Sequence, residues 1–154
     1  MRVIISGILN SLKKLKMQFN VDDCKIVELP IVHNDNGNIT VMENNMNLPF
    51  DIRRIYYLYD VPMGAERGGH AHYNLQQYVV AASGSFTFIL DDGKNKKEVF
   101  LNHPNKALHI VPGIWREMRD FSSGSICLVL ASIAYSEEDY IRDYQDFKNY
   151  RKNG

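Results

Sequence analysis

The chain has 154 residues, 45% of them hydrophobic and 23% charged, so it is long enough for one globular domain with its own core. Lysine plus arginine and aspartate plus glutamate both total 18, and the zero net charge argues against a nucleic-acid binder that works by bulk positive charge. Cys24 and Cys127 are too few and too far apart for a disulfide framework or a zinc knuckle, and a reducing, cytoplasmic location is expected.

Residues 1–20 are interpreted as an N-terminal extension with a short helix. Its apolar residues recur at helical spacing, with lysines opposite, at Ile5, Ile8, Leu9, Leu12 and Leu15. The apolar start resembles a signal peptide, but lysines follow it and a small-residue cleavage site is lacking, so no secretion signal is expected. No apolar run reaches the roughly 18 residues that a membrane span needs. Residues 21–154 are expected to form a single domain.

Short strand signals separated by turn residues follow the extension. A hairpin is predicted from a strand at 24–30, a turn at 33–38 and a returning strand at 39–43. Further strands are predicted at 53–61, 76–82, 85–90, 97–102, 107–111, 115–121 and 126–132. Short strands at this spacing predict an all-β sandwich or barrel.

The C-terminal segment has a different pattern. Ser136 with an acidic residue three positions later, at Asp139, resembles a helix-capping sequence. Apolar residues then recur at helical spacing, at Tyr140, Ile141, Tyr144, Phe147 and Tyr150. One helix from about residue 137 to 152 is predicted, packed against the outside of the β body.

The candidate site lies between residues 64 and 84. His70 and His72 are two residues apart on a predicted strand, so both rings point to the same face. Three interpretations are open: two core histidines satisfied by hydrogen bonds, a metal centre, or metal-free acid–base chemistry. We favour the third, because histidine titrates near neutral pH and one ring can remove a proton and return it elsewhere.

The spacing of this stretch resembles the first motif of the cupin superfamily, carried here by Gly64, His70, His72, Gln77 and Gly84. In metal-binding cupins the position of Gln77 is normally a glutamate, and Glu117 stands where the second motif places a third histidine. The resemblance therefore implies a cupin whose metal-ligand set is broken and which holds no metal.

A wider set of runs resembles the WxcM-like nucleotide-sugar 3,4-ketoisomerases, which are cupins: RGGHAH at 67–72, SGS at 83–85, DDG at 91–93, WRE at 115–117, LVLAS at 128–132 and YIRDY at 140–144. The resemblance implies an all-β cupin jelly roll or barrel with one C-terminal helix. It also implies a metal-free, cofactor-free isomerase that turns dTDP-4-keto-6-deoxyglucose into a dTDP-3-keto-6-deoxyhexose, for deoxyamino-sugar and surface-polysaccharide biosynthesis. A homodimer with exchanged N-terminal strands is expected.

The implied reaction assigns roles to residues around the histidine pair. His70 or His72 would be the base that removes the C3 proton, and the other would shuttle the proton between the two oxygens or polarise the ketone. Arg67 and Tyr56 would stabilise the enediolate. Arg54 shares the Tyr56 face of its strand, which is expected to point inward, and would bind the diphosphate.

Three further residues are predicted to bind substrate: Gln77, Trp115 and Glu117. Trp115 would cap the sugar or the base. Two other functions stay open. One is a metal-dependent cupin oxygenase, and the other is a non-catalytic cupin that binds a nucleotide sugar.

Overall fold

A computed structural model of the chain describes residues 18–154, so the short helix predicted within residues 1–16 lies outside the described residues. The described part contains twelve strands: β1 (Lys25–Glu28), β2 (Val32–Asn34), β3 (Gly37–Ile39), β4 (Arg54–Leu58), β5 (Arg67–His72), β6 (Gln77–Ser83), β7 (Phe86–Asp91), β8 (Lys96–Leu101), β9 (Lys106–Ile110), β10 (Trp115–Arg119), β11 (Ile126–Ala131) and β12 (Tyr140–Ile141). One α-helix, α1 (Tyr144–Lys152), follows them.

Two five-stranded antiparallel sheets form the body. The first has the order β1-β9-β6-β11-β4 and the second β12-β5-β10-β7-β8. Side chains that point inward from both sheets form the main core between them, which includes Val79, Phe88, Leu108 and Val129. The predicted all-β fold with one C-terminal helix is confirmed, as a sandwich of two facing sheets.

The N-terminal hairpin lies elsewhere than predicted. Its strands are β2 and β3, with residues 35 and 36 between them, while β1 pairs with β9 in the first sheet. Residues 40–43, predicted as a strand, form none. This segment and the loop after it instead cover the outer face of the first sheet, where Phe50 packs edge-on against Tyr78 at 5.6 Å between ring centroids. Burial of these loop side chains outweighed the local strand pattern.

The C-terminal helix begins later than predicted. A 3₁₀ turn at Glu137–Asp139 and the short strand β12 precede α1, and Ser136 forms no side-chain cap. The cap is Asp143, whose carboxylate accepts a hydrogen bond from the Asp146 backbone N–H. The predicted packing is confirmed, because Phe147 is fully buried against Trp115 on the outer face of the second sheet. No helix within residues 18–154 is long and apolar enough to cross a bilayer.

Candidate active site

The strand β5 positions both histidines. Gly68 and Gly69 have φ values of +88° and +74°, and a β-bulge faces them in β10 between Arg116 and Glu117. A Cβ on Gly68 would lie 2.8 Å from the Arg116 carbonyl oxygen, so glycine is required for this close approach. Beyond the bulge the regular alternation resumes, and the rings of His70 and His72 meet edge to face with centroids 4.9 Å apart.

A cavity of about 490 Å³ opens beside this pair. Its lining includes Arg54, Tyr56, Arg67, His70, Tyr140 and Arg142. The structure thus brings four of the predicted site residues to one cavity, and the predicted inward orientation of the Tyr56 face is correct. Three arginines and one half-buried imidazole around a cavity of this size suit an anionic ligand with a reactive group near His70.

Asp139 forms a hydrogen bond with the buried ring of His72. The His72 side chain is 1% exposed, and its Nδ1 lies 3.1 Å from Oδ2 of Asp139. The same carboxylate accepts hydrogen bonds from the backbone N–H groups of Asn74 and Leu75. Since a carboxylate only accepts, Nδ1 of a neutral His72 carries the hydrogen and Nε2 keeps a free lone pair. Nε2 has no hydrogen-bond partner among residues 18–154.

Both imidazoles are neutral at physiological pH. Burial, followed by the nearby Arg116 guanidinium, lowers the pKa of His70 to about 4. The same two causes lower the pKa of His72 far below 6.5. Two neutral rings in contact can accept and pass on a proton, which is the property that acid–base chemistry needs.

Comparison with known proteins places the chain in a family. Residues 22–152 match the model of the family described as FdtA: WxcM-like, C-terminal. The chain belongs to this family. The resemblance that the sequence indicated is therefore confirmed.

Proteins similar to the chain are named as 3,4-oxoisomerases or 3,4-ketoisomerases. The chain is 42% identical over 126 residues to a TDP-4-oxo-6-deoxy-alpha-D-glucose-3,4-oxoisomerase of Aneurinibacillus thermoaerophilus, which covers 82% of this chain and 91% of that protein. It is 43% identical to a 3,4-ketoisomerase from Helicobacter canadensis, with a TM-score of 0.82 over 84% of this chain and 98% of the other. The 3,4-ketoisomerase QdtA from Thermoanaerobacterium thermosaccharolyticum, solved in complex with TDP, is 36% identical, with a TM-score of 0.83 over 88% and 97% of the two chains.

Arg116 is a site residue that the sequence did not reveal. It is 2% exposed, its Nη1 donates to Oε1 of Gln77 at 3.0 Å, and Gln77 Nε2 in turn donates to the Tyr56 hydroxyl at 2.8 Å. This chain of hydrogen bonds fixes Tyr56 at the cavity wall. Gln77 itself is buried and does not line the cavity, so the structure corrects its predicted contact with substrate to a positioning role.

Trp115 and Glu117 lie on the opposite face of β10 from the cavity. The indole N–H of Trp115 donates to Oε1 of Glu117 at 2.8 Å, and the ring packs on Phe147 beneath α1. Strand alternation sends Arg116 and Met118 inward and their neighbours outward. The prediction that these two residues bind substrate is corrected accordingly. No local signal in the sequence marks Arg116, because the pairing of β10 with β5 and its bulge decide which side chain faces the site.

The side chains near the two histidines bear on whether this site could bind a metal ion. Among residues 18–154, no group of three or more His, Cys, Asp or Glu side chains is placed so that it could hold a metal ion. Gln77 donates to Tyr56 and accepts from Arg116, and a guanidinium beside it repels a cation. The expectation of a metal-free reaction stays a prediction.

Proposed function

We propose that the protein is a nucleotide-sugar 3,4-ketoisomerase that converts dTDP-4-keto-6-deoxyglucose to a dTDP-3-keto-6-deoxyhexose. The observation that carries the proposal is the contacting pair of imidazoles beside a cavity with three arginines, in a chain of the WxcM-like family. A related QdtA variant, with histidine replaced by asparagine, was solved in complex with TDP-4-keto-6-deoxyglucose. That complex supports the choice of ligand class.

The reaction requires only proton transfers. A base removes the hydrogen at C3, and its electron pair forms the C3=C4 double bond as the C4 ketone oxygen gains a proton. The C3 hydroxyl then loses its proton and becomes a ketone, while C4 receives a hydrogen. Carbon C3 is oxidised and C4 is reduced within one molecule, so the atoms and electrons balance without an external oxidant or reductant.

The residues of the cavity fit these steps. We assign His70 as the base, because it lines the cavity and its lowered pKa keeps it unprotonated. His72, in ring contact with it and oriented by Asp139, is assigned the movement of protons between the two oxygens. Arg67 and the anchored Tyr56 hydroxyl are proposed to stabilise the enediolate.

Two cations are available for the diphosphate. Arg54 lies at the cavity with its guanidinium carbon 5.2 Å from the Tyr56 ring centroid and 5.4 Å from that of Tyr135. Arg142 lies at the cavity as well and is paired with Glu137. We propose that Arg54 makes the main phosphate contact, since its charge is not shared with a carboxylate in the described ion pairs.

Incubation with dTDP-4-keto-6-deoxyglucose tests the function, and NMR identifies the product. We expect a 3-keto sugar to form with chelator present, and the NMR spectrum gives its configuration at C4. Turnover that requires added iron or manganese and consumes oxygen would favour the oxygenase alternative. Tight binding of dTDP without conversion would favour the non-catalytic binding protein.

The lowered pKa of His70 predicts an unusual pH profile. A base works unprotonated, and its folded pKa of about 4 lies below 6.5, so the acid-side loss of activity is expected as pH falls through about 4 and not near 6.5. The measurement is kcat/KM between about pH 3 and 8, with circular dichroism at each pH as the control for unfolding. An acid limb centred near 6.5 in the folded protein would contradict the assignment.

We propose that the protein forms a homodimer by exchange of the β2–β3 hairpin. The hairpin pairs with neither five-stranded sheet, and its Val32 and Ile39 are 58% and 57% exposed. The strand β4 is an edge of the first sheet and presents Ile55 and Tyr57 at 58% and 60% exposure. An open edge with apolar side chains is a natural place for a strand from a second copy.

Charged substitutions on the hairpin test the dimer. Val32→Asp combined with Ile39→Asp is expected to convert a dimer to a monomer, because both charges would be buried without partners in the interface. The measurement is the molar mass by sedimentation equilibrium. Phe100→Asp, at an equally exposed position on the β8 edge of the other sheet, is the control and should stay dimeric. A monomeric wild-type protein would overturn the proposal.

The proposed product points to the next reaction. A 3-keto sugar condenses with an amine, so a transaminase is the class of enzyme that would consume it and yield a deoxyamino sugar. We propose that this serves surface-polysaccharide synthesis in the cytoplasm. The buried thiols of Cys24 and Cys127, both free, fit a reducing compartment.

A further inference from the structure

A third side chain contacts both histidines. In the pairing of β12 with β5, Tyr140 lies directly opposite His72. Its ring centroid is 4.2 Å from that of His72 and 5.1 Å from that of His70, and the residue lines the cavity. A phenol in this position adjoins whatever the two imidazoles act on.

Contacts on both sides fix Tyr140 in place. Asp139, before it, is bound to the β5 histidine and to the backbone that follows β5. Ile141, after it, is 3% exposed in the cluster beneath α1. The Arg142 guanidinium carbon lies 4.1 Å from the Tyr140 ring centroid, and Glu137 accepts a hydrogen bond from Nη2 of that arginine at 2.8 Å. A group held this firmly is preorganised, as catalytic hydrogen-bond donors must be.

The Tyr140 hydroxyl is available for a ligand. Other tyrosines are engaged: the Tyr135 hydroxyl donates to Glu137, and the Tyr144 hydroxyl donates to Asp91. The Tyr140 hydroxyl has no such partner within residues 18–154. Of these three tyrosines, Tyr140 is the one whose ring packs against both histidines. A phenol that lines the cavity and has no hydrogen-bond partner among these residues is suited to donate to an oxygen of the bound sugar.

We propose that Tyr140 is a further catalytic residue, whose hydroxyl donates a hydrogen bond to the enediolate oxygen beside the histidine pair. This inference rests on the proposed ketoisomerase function. The bond is stronger in the intermediate than in the ground state because the ketone oxygen gains negative charge as the C3 proton leaves. Tyr140 keeps its own hydrogen throughout, so the proton transfers remain with the imidazoles.

Tyr140→Phe tests the role of the hydroxyl while keeping the ring and its packing. We expect kcat to fall about 10²-fold, in line with loss of one donor to a developing oxyanion, and KM to change by less than about threefold. The matched control is Tyr73→Phe, which makes the same change next to His72 at a ring that packs outside on Tyr150. Its kcat should equal that of the wild type.

The outcomes separate the two proposals. A wild-type protein that does not convert the 4-keto substrate removes the proposed function itself. An active wild type with Tyr140→Phe retaining more than a third of its kcat overturns the inference, as does a loss confined to KM. Calorimetric binding of dTDP is expected to be unchanged and shows that the variant is folded.

A second variant tests the same role of the hydroxyl in case Tyr140→Phe does not fold properly. 3-Fluorotyrosine at position 140 keeps the shape of the side chain but is a more acidic phenol. A more acidic phenol is a stronger hydrogen-bond donor, so kcat near neutral pH should be at least that of the wild type and far above that of Tyr140→Phe. A kcat as low as that of Tyr140→Phe would contradict the role of the hydroxyl.

Discussion

His70→Asn is expected to lower kcat by about 10²- to 10⁴-fold, the usual contribution of a positioned acid–base group. Asparagine keeps the polarity and approximate size of the ring but cannot accept a proton at neutral pH. The measurement is the initial rate of 3-keto sugar formation, followed by NMR. The loss should appear in kcat, because the imidazole acts on the reacting carbon and the arginines still hold the nucleotide.

Two other histidines are substituted for comparison, one inside the proposed site and one outside it. His72→Asn should also lower turnover sharply, since both rings take part in the proposed proton transfers. His103→Asn changes a histidine exposed in a turn outside the cavity and should leave kcat unchanged. Near-wild-type turnover in His70→Asn would exclude His70 as the base, and an equal loss in all three variants would indicate a general effect on the protein.

Asp139→Asn is expected to lower kcat by about 10²- to 10⁴-fold as well, although this residue lies behind His72 and does not line the cavity. Its carboxylate accepts from His72 Nδ1 and so keeps the free lone pair on Nε2. An asparagine can present its NH₂ group to Nδ1 instead and thereby favour the opposite tautomer. Asp139 is thus assigned as a positioning residue.

A purely structural role for Asp139 makes a different prediction. In that case Asp139→Asn would lower stability but leave the His72 tautomer unchanged. The ¹⁵N chemical shifts of the imidazole nitrogens distinguish the two, and we expect the protonated nitrogen to change from Nδ1 toward Nε2. Asp143→Asn is the control, since it alters another carboxylate of the same segment that caps α1. It should leave both the tautomer and kcat as they are.

The histidine pair could be predicted from the sequence because it depends on local geometry. Two residues of spacing on a strand place His70 and His72 on one face whatever surrounds them, and the same alternation places Arg54 with Tyr56. The positions of the strands and the packing of α1 on the outside of the β body could also be predicted from short-range patterns. These features need no knowledge of which strands are neighbours.

Arg116 and Asp139 could not be predicted, because their roles arise from long-range pairing. The motif spacing drew attention to Glu117, but alternation along β10 from the bulge turns Arg116 inward. Asp139 has the sequence context of a helix start, yet hydrogen bonds to residues 72–75 hold it in a 3₁₀ turn before β12. A capping pattern competes poorly with four hydrogen bonds from a distant strand and loop.

The central claim is that His70 removes a proton from one sugar carbon and returns one to its neighbour, while His72 moves protons between the two oxygens. Turnover of the 4-keto substrate in D₂O tests it most directly, with the deuterium content of the sugar ring read by NMR and mass spectrometry. We predict deuterium at the ring carbon that is reprotonated for the wild type, and incorporation at least about 10²-fold slower for His70→Asn. A ring free of deuterium after prolonged incubation with wild-type protein, with or without added iron or manganese, would contradict the account.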